Sequence, residues 1–162
     1  MRLIALAATA VLLSATAALA APAAVSVSLS PEMQKKFDKT YGVREAQLLT
    51  GDLQTSVEKA LAKTGAHDGA RIELTLTDVK PNRPTFKQLG DTPGLSMQSF
   101  GIGGAAIEGR IVAADGTETP IGYRWYETDI RESYARWTWT DAEFTFDRFA
   151  RRLARGQEVA GR

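Results

Sequence analysis

Cysteine is absent from all 162 residues, and histidine occurs once. No disulfide can form, so an exported product would be held together by its core alone. No thiol is available at the end of the leader to carry a lipid. The lone His67 sits among Gly65, Asp68 and Gly69 in a turn, where it reads as a solvated loop residue, and without cysteine it builds no usual zinc site. Charge of one sign is also missing, since the formal net charge is +1. Removing Arg2 with the leader leaves nineteen basic against nineteen acidic residues. Bulk charge therefore selects neither nucleic acid nor an anionic membrane surface. The most apolar run, Leu3 to Leu13, interrupted only by Thr9, is shorter than the roughly 20 residues a spanning helix needs.

That run has a different meaning in its context. Arg2 precedes it, and small residues follow it, ending Ala18-Leu19-Ala20 before Ala21-Pro22. A positive start, a short apolar middle and an A-x-A end are the parts of a cleavable secretory signal. We therefore read residues 1–20 as signal, 21–156 as one domain and 157–162 as a frayed tail. The expected location is periplasmic or secreted, with no membrane anchor after cleavage. A domain of roughly 150 residues buries about 68–70% of its unfolded surface, so it needs no staple.

Hydropathy periods outline an α+β fold. Val25, Val27 and Leu29 alternate with serine, predicting a half-buried strand. Ser30-Pro31 reads as N-cap and first residue of a short helix to about Lys39. Ala46, Leu49, Leu53, Val57, Ala60 and Leu61 form one helical stripe over 43–63, with Gly65 as its stop and Gly51 as a weak point. Ile72, Leu74 and Leu76 mark a second strand, parallel to the first by the right-handed crossover rule. Residues 80–98, rich in proline and glycine, show no period and read as a long connection, functional or mobile. A third strand is expected over 99–113, with a phase switch in Gly103-Gly104-Ala105-Ala106 assigned to a bulge or a close backbone approach. Asp115-Gly116 predicts a hairpin turn into a fourth strand over 118–129. Thr140 and Glu143 suggest a capping box opening a last helix, whose stripe is Ala142, Phe146, Phe149, Ala150 and Leu153. The order β-α-β-β-β-α predicts a two-layer sandwich: a mixed four-stranded sheet with two main helices on one face.

Two catalytic patterns occur and fail on context. Ser56-Val57-Glu58-Lys59 and Lys63-Thr64-Gly65 match S-x-x-K and K-T-G, but both fall on one helix, whereas the enzymes bring these motifs from separate parts of a larger fold. Gly101-Ile102-Gly103-Gly104-Ala105-Ala106 fits a dinucleotide fingerprint, yet a strand follows it where a phosphate-binding helix is required. Glu127, Asp129 and Asp141 could assemble a carboxylate site for a small-ligand or carbohydrate-processing enzyme. Each also has a plain role, as rim charge or as a partner of the helix dipole. The sequence thus points to no catalytic set, no cofactor and no metal.

Aromatic and basic residues concentrate in connections: Tyr134, Arg136, Trp137 and Trp139, with Arg83 and Lys87 from the long connection. Such concentrations make binding surfaces. Trp137 and Trp139, two apart, could equally share one face and close the sheet over the last helix. The stretches Asp78–Thr85, Ser99–Ala105 and Trp137–Ala142 resemble an uncharacterised group of small exported proteobacterial proteins. That resemblance spans most of the mature chain and implies an envelope location, without an activity. The strand-helix-strand order is also loosely similar to small domains of envelope accessory proteins such as the curli-secretion lipoprotein. Those carry an N-terminal cysteine, so their membrane attachment does not transfer. The resulting expectation is a non-enzymatic periplasmic protein that binds an envelope protein or polymer.

Overall fold

Alternation in residues 24–29 and 71–80 lays down the first two strands of the sheet, and the computed structural model describes residues 23–157. The expected signal, 1–20, and the tail beyond Gln157 lie outside the described residues. β1 (Ala24–Leu29) pairs parallel with β2 (Arg71–Lys80), which pairs antiparallel with β3 (Gly104–Val112), and β3 with β4 (Glu118–Tyr126). The sheet is mixed and four-stranded, in the order β1-β2-β3-β4. α1 (Pro31–Lys36), α2 (Val43–Thr64), α3 (Phe86–Asp91) and α4 (Thr140–Ala154) complete the chain, with a short 3-10 turn at Ile130–Ala135. The two long helices, α2 and α4, pack on each other and on one face of the sheet, as the two-layer reading requires.

Local signals act where the sequence placed them. Ser30 caps α1 by accepting from the Met33 N–H at 3.2 Å, with Pro31 at the first helical position. α1 then widens into a π-turn over Phe37–Tyr41 instead of running on to Lys39 as a plain helix. α2 is unbroken through Gly51 and ends at Gly65 in the left-handed conformation, φ 65°. Its stripe meets Ile72, Leu74 and Leu76 of β2, Ile107 of β3, and Phe146, Phe149 and Leu153 of α4 in one core. Burying each such side chain contributes on the order of 1.5–3 kcal/mol. The Asp115-Gly116 hairpin forms, with Ala113 N–H donating to Thr117 O at 2.9 Å.

Four expectations need correction. Residues 80–98 are not without structure, because α3 opens there with a reciprocal capping box between Thr85 and Gln88. The third strand starts at Gly104 rather than Ser99, and the phase switch lies across the ladder in β2, where Thr77 is the extra residue between Leu76 and Asp78. The signal was visible in β2 itself: inward residues run Ile72, Leu74, Leu76 and then Val79, a change of parity that one inserted residue produces. The Gly103-Gly104 pair answers instead to close backbone approach. A Cβ on Gly103 would lie 2.8 Å from Asn82 Oδ1, and one on Gly104 would collide with Trp125 O. Finally, Thr140 and Glu143 form no capping box. Thr140 Oγ1 accepts from Trp137 N–H at 3.0 Å, and Glu143 N–H bonds Trp139 O at 2.9 Å. The first turn of α4 is governed by Asp141, whose side chain turns inward.

Candidate functional site: the loop end of the sheet

Strand direction sorts the connections. α1 follows the C-terminal end of β1, α3 follows that of β2, and the 3-10 turn follows that of β4, while β3 and the long helices α2 and α4 begin at this same end. Expected site residues 83, 87, 134, 136, 137 and 139 therefore converge on one end of the molecule. The large hydrophobic side chains with substantial exposure gather there too: Val43, Leu48, Phe86, Met97, Phe100 and Trp137 among them.

A buried polar knot holds this end. Asp141 is 0% exposed, and its Oδ2 accepts from Asn82 Nδ2 and, at 3.0 Å, from Gly103 N–H. Asn82 Oδ1 in turn accepts from Asp141 N–H at 3.0 Å, and Asn82 Nδ2 also donates to Gly101 O at 3.1 Å. The Asn82 backbone joins both neighbours, donating to Thr138 O at 2.7 Å and accepting from Gly101 N–H at 2.9 Å. Three segments far apart in sequence are thus tied at one asparagine and one aspartate. Charge-assisted bonds inside a low-dielectric site are the stronger kind, and they tie this part of the loop end together. Asp141 Oδ1 makes no hydrogen bond, and the Arg136 guanidinium lies 3.8 Å away.

Arg83 adds a clasp on the outside. Its Nε donates to Arg136 O at 2.6 Å, its Nη1 to Met97 O at 2.7 Å, and its Nη2 to Tyr134 O. One planar guanidinium so fixes two loops, a task for which its fork of donors is suited. Above it Phe100 and Tyr134 meet edge to face, with centroids 5.7 Å apart and planes at 85°. Arg136 lies over the Phe144 ring at 4.5 Å and is mostly covered. Arg83 and Arg136, both expected to bind a ligand, also make these contacts within the protein, which fix the loops.

The tryptophan pair separates. Trp139 is 4% exposed, packs against Phe37 and Tyr41, and donates its indole N–H to Glu45. Trp137 is 75% exposed. Of the two readings weighed for the pair, a shared packed face is not what forms, because Trp139 occupies the N-cap position of α4 and is buried while Trp137 stands exposed. Tyr134, 71% exposed, stays on the surface. Lys87 pairs with Asp91 at 2.8 Å and lines a groove of about 470 Å³ with Tyr41, Val43, Leu48 and Phe86. Phe86, 82% exposed, was not singled out from sequence, nor were Asn82 and Phe100. The Thr85/Gln88 capping pair could have flagged Phe86 as the exposed first residue of a helix; nothing local marks Asn82.

The carboxylates considered for catalysis do not converge. Asp129 is held by one edge of the Arg131 guanidinium, Nε and Nη2, at 2.6 to 3.1 Å, and this contact lowers its carboxyl below the usual range. Glu127 Oε1 accepts from the N–H groups of Thr128 and Asp129, which lowers it likewise. Asp141 is closed off in the knot. Ser56 bonds Asp147 at 3.2 Å, across to α4, and not Lys59. Among the described residues, no group of three His, Cys, Asp or Glu side chains could hold a metal ion. His67 is half-buried with φ 60°, its Nε2 3.3 Å from Leu153 O, so it is less free than a solvated loop histidine.

On the open face beside this end, Lys36, Asp78, Tyr126 and Lys80 form a polar row. Lys36 Nζ is 3.2 Å from Asp78, Tyr126 donates to Asp78 at 2.7 Å, and Lys80 lies over the Tyr126 ring at 5.0 Å. Burial pushes the Asp78 carboxyl up, but the Tyr126 hydroxyl with Lys36 and Lys80 more than offsets it, and the group rests below its ordinary value. Burial and the bond to Asp78 hold the Tyr126 phenol above its ordinary value.

No protein-family model and no curated protein sequence matches the chain. A solved structure of a minor lipoprotein from Acinetobacter baumannii is similar to it at 14% identity, over 87% of this chain and 96% of that one, with a TM-score of 0.37. Likeness at that level is loose, and the reading of the site rests on its own geometry.

Proposed function

We propose that this chain is an exported, non-catalytic binding protein whose loop end docks another envelope protein. One observation carries the reading: Phe86, Phe100, Tyr134 and Trp137 stand exposed on a backbone locked beneath them by the Asn82–Asp141 knot and the Arg83 clasp. Exposed rings on a mobile loop would lose entropy on binding; rings on a fixed backbone lose far less. Aromatic anchors of this kind dominate protein interfaces. Export rests on the leader at 1–20.

Ring geometry favours a protein over a sugar polymer. Phe100 and Tyr134 stand nearly perpendicular, so together they offer no flat platform for a pyranose face. The groove between Leu48 and Phe86 instead offers the apolar side chains of Val43, Leu48 and Phe86 to those of a partner. A carbohydrate-processing enzyme fits less well, since Glu127 and Asp129 are held ionised and Asp141 is sealed in.

A photo-crosslinking residue placed at Phe86 or Trp137 in cells, with one at Asp115 on the opposite end as control, tests the proposal. A single adduct of defined mass from the loop end, absent at Asp115 and lost from the Phe86 probe when Trp137→Ala and Tyr134→Ala are added, is expected. Equal labelling at both ends, or none at the loop end, would overturn it.

A further inference from the structure

The two margins of the sheet are not alike. β4 carries Glu118, Pro120 and Arg124 along its length, and Arg148 and Arg152 of α4 lie over its Trp125 and Tyr123 rings at 4.0 and 5.3 Å. Charge, proline and covering side chains are the devices by which proteins keep an edge strand from pairing. β1, Ala-Val-Ser-Val-Ser-Leu, has no charge, no proline and no bulge: its six residues pair with β2 in unbroken register. Its inward residues Val25, Val27 and Leu29 are only partly covered, whereas Ile72, Leu74 and Leu76 beside them on β2 are buried.

The hydrogen-bond pattern says which groups of β1 are free. Ala24 N–H donates to Ala70 O at 3.0 Å, and Ser30 N–H to Leu76 O at 3.1 Å, so the even-numbered residues face β2. Alternation along a strand then sends the N–H and C=O groups of Val25, Val27 and Leu29 outward. An antiparallel partner bonds such residues in reciprocal pairs. When the partner is β1 itself, one two-fold arrangement satisfies every one of them: Val27 opposite Val27, and Val25 opposite Leu29. The same arrangement sets Ser26 opposite Ser28 on the polar face and keeps all three apolar residues on the helix side. A one-residue slip would put valine against serine across the two faces.

We infer that β1 pairs antiparallel with β1 of a second copy, about a two-fold axis through Val27, joining two sheets into one of eight strands. The exposed, uncharged edge and its self-matching sequence favour a second copy over a foreign strand. The two loop ends then point in opposite directions, and one dimer presents two aromatic docking surfaces. This inference stands independently of what those surfaces bind.

The absence of cysteine makes the test clean. Ser26 and Ser28 of the partner would form a non-hydrogen-bonded pair with Cα atoms roughly 4.5 Å apart, inside the range a disulfide spans. Two Ser26 residues would lie on the diagonal, at about 7–8 Å, too far to bridge. Under mild oxidation an equimolar mixture of Ser26→Cys and Ser28→Cys chains, each starting at Ala21, should give a reducible dimer that neither variant gives alone. Light scattering on the unsubstituted chain should return a dimer mass. Val27→Pro removes one outward N–H and none of the bonds to β2 and should return a monomer with unchanged far-ultraviolet circular dichroism. Should that variant misfold, Ser26→Lys/Ser28→Lys sets like charges face to face at exposed positions and should do the same. A monomer mass for the unsubstituted chain, crosslinking by Ser26→Cys alone, or a dimer that survives the lysine pair overturns the inference.

Discussion

At one end of the sheet the chain turns tightly, through Gly65 to Ala70 between α2 and β2 and through Ala113 to Thr117 between β3 and β4. At the other end the connections are long, residues 81–103 and 127–139, and hold only the six-residue α3 and the 3-10 turn. The short turns are held locally: Gly116 takes φ 84°, and Thr117 N–H bonds Asp115 Oδ1 at 2.9 Å, two residues away. The long segments are held by partners 14 to 59 residues distant in sequence. Local turns can be changed piecemeal, but the loop end stands or falls with a few buried atoms. That difference teaches why the exposed aromatics lie where they do: only a surface tied from beneath can hold apolar rings out to solvent in fixed positions.

Substitutions should separate the ends by size of effect. Trp139→Ala leaves a large cavity among Phe37 and Tyr41 and should lower stability by about 3–5 kcal/mol in denaturant melts. Asn82→Ala strips the buried Asp141 carboxylate of a donor and should cost about 3 kcal/mol, on the scale of hydrogen bonds to charged groups. Hydrogen exchange in that variant should rise around residues 101–104 and 136–141 while the 113–117 hairpin keeps its protection. A uniform rise would show that the two ends are not held separately.

Glycine exchanges sharpen the contrast. Gly103→Ala forces a methyl group against Asn82 and the Lys80 carbonyl, an overpacking worth about 1–3 kcal/mol. Gly116→Ala, which meets nothing within 4 Å but keeps a positive φ, should lose only about 1 kcal/mol. Equal losses in thermal melts would remove the distinction.

Acid should probe the polar row beside the loop end. The Asp78 carboxyl titrates below its unfolded value, so its contribution is present above the unfolded pKa and is lost as pH falls through the folded one. Tyr126→Phe removes a donor to that carboxylate, so the Asp78 titration followed by NMR should move up. The acid-unfolding midpoint should move to higher pH with it. An unchanged Asp78 titration would mean that Lys36 and Lys80 alone set its value. The smallest expected effect on folding is that of Trp137→Ala, within about 0.5 kcal/mol as for other surface positions, with loss of the loop-end crosslink as its readout.

Much of this architecture was legible because it is written at short range. Alternation at 25–29 and 72–76, the stripe along α2, the Ser30-Pro31 start, the Gly65 stop and the Asp115-Gly116 turn each express a preference of neighbouring residues for one backbone shape. Those preferences determined the strand and helix order and hence the two-layer α+β class. What only the tertiary structure decided depends on atoms distant along the chain. Trp137 and Trp139 are alike in sequence context, and their separation into surface and core follows from where Phe37 and Tyr41 stand. Thr140 and Glu143 had the spacing of a cap, but Asn82 and Gly103 drew Asp141 inward and set the helix start. A buried asparagine has no periodicity, and its partners are chosen by how three loops meet after the sheet has formed.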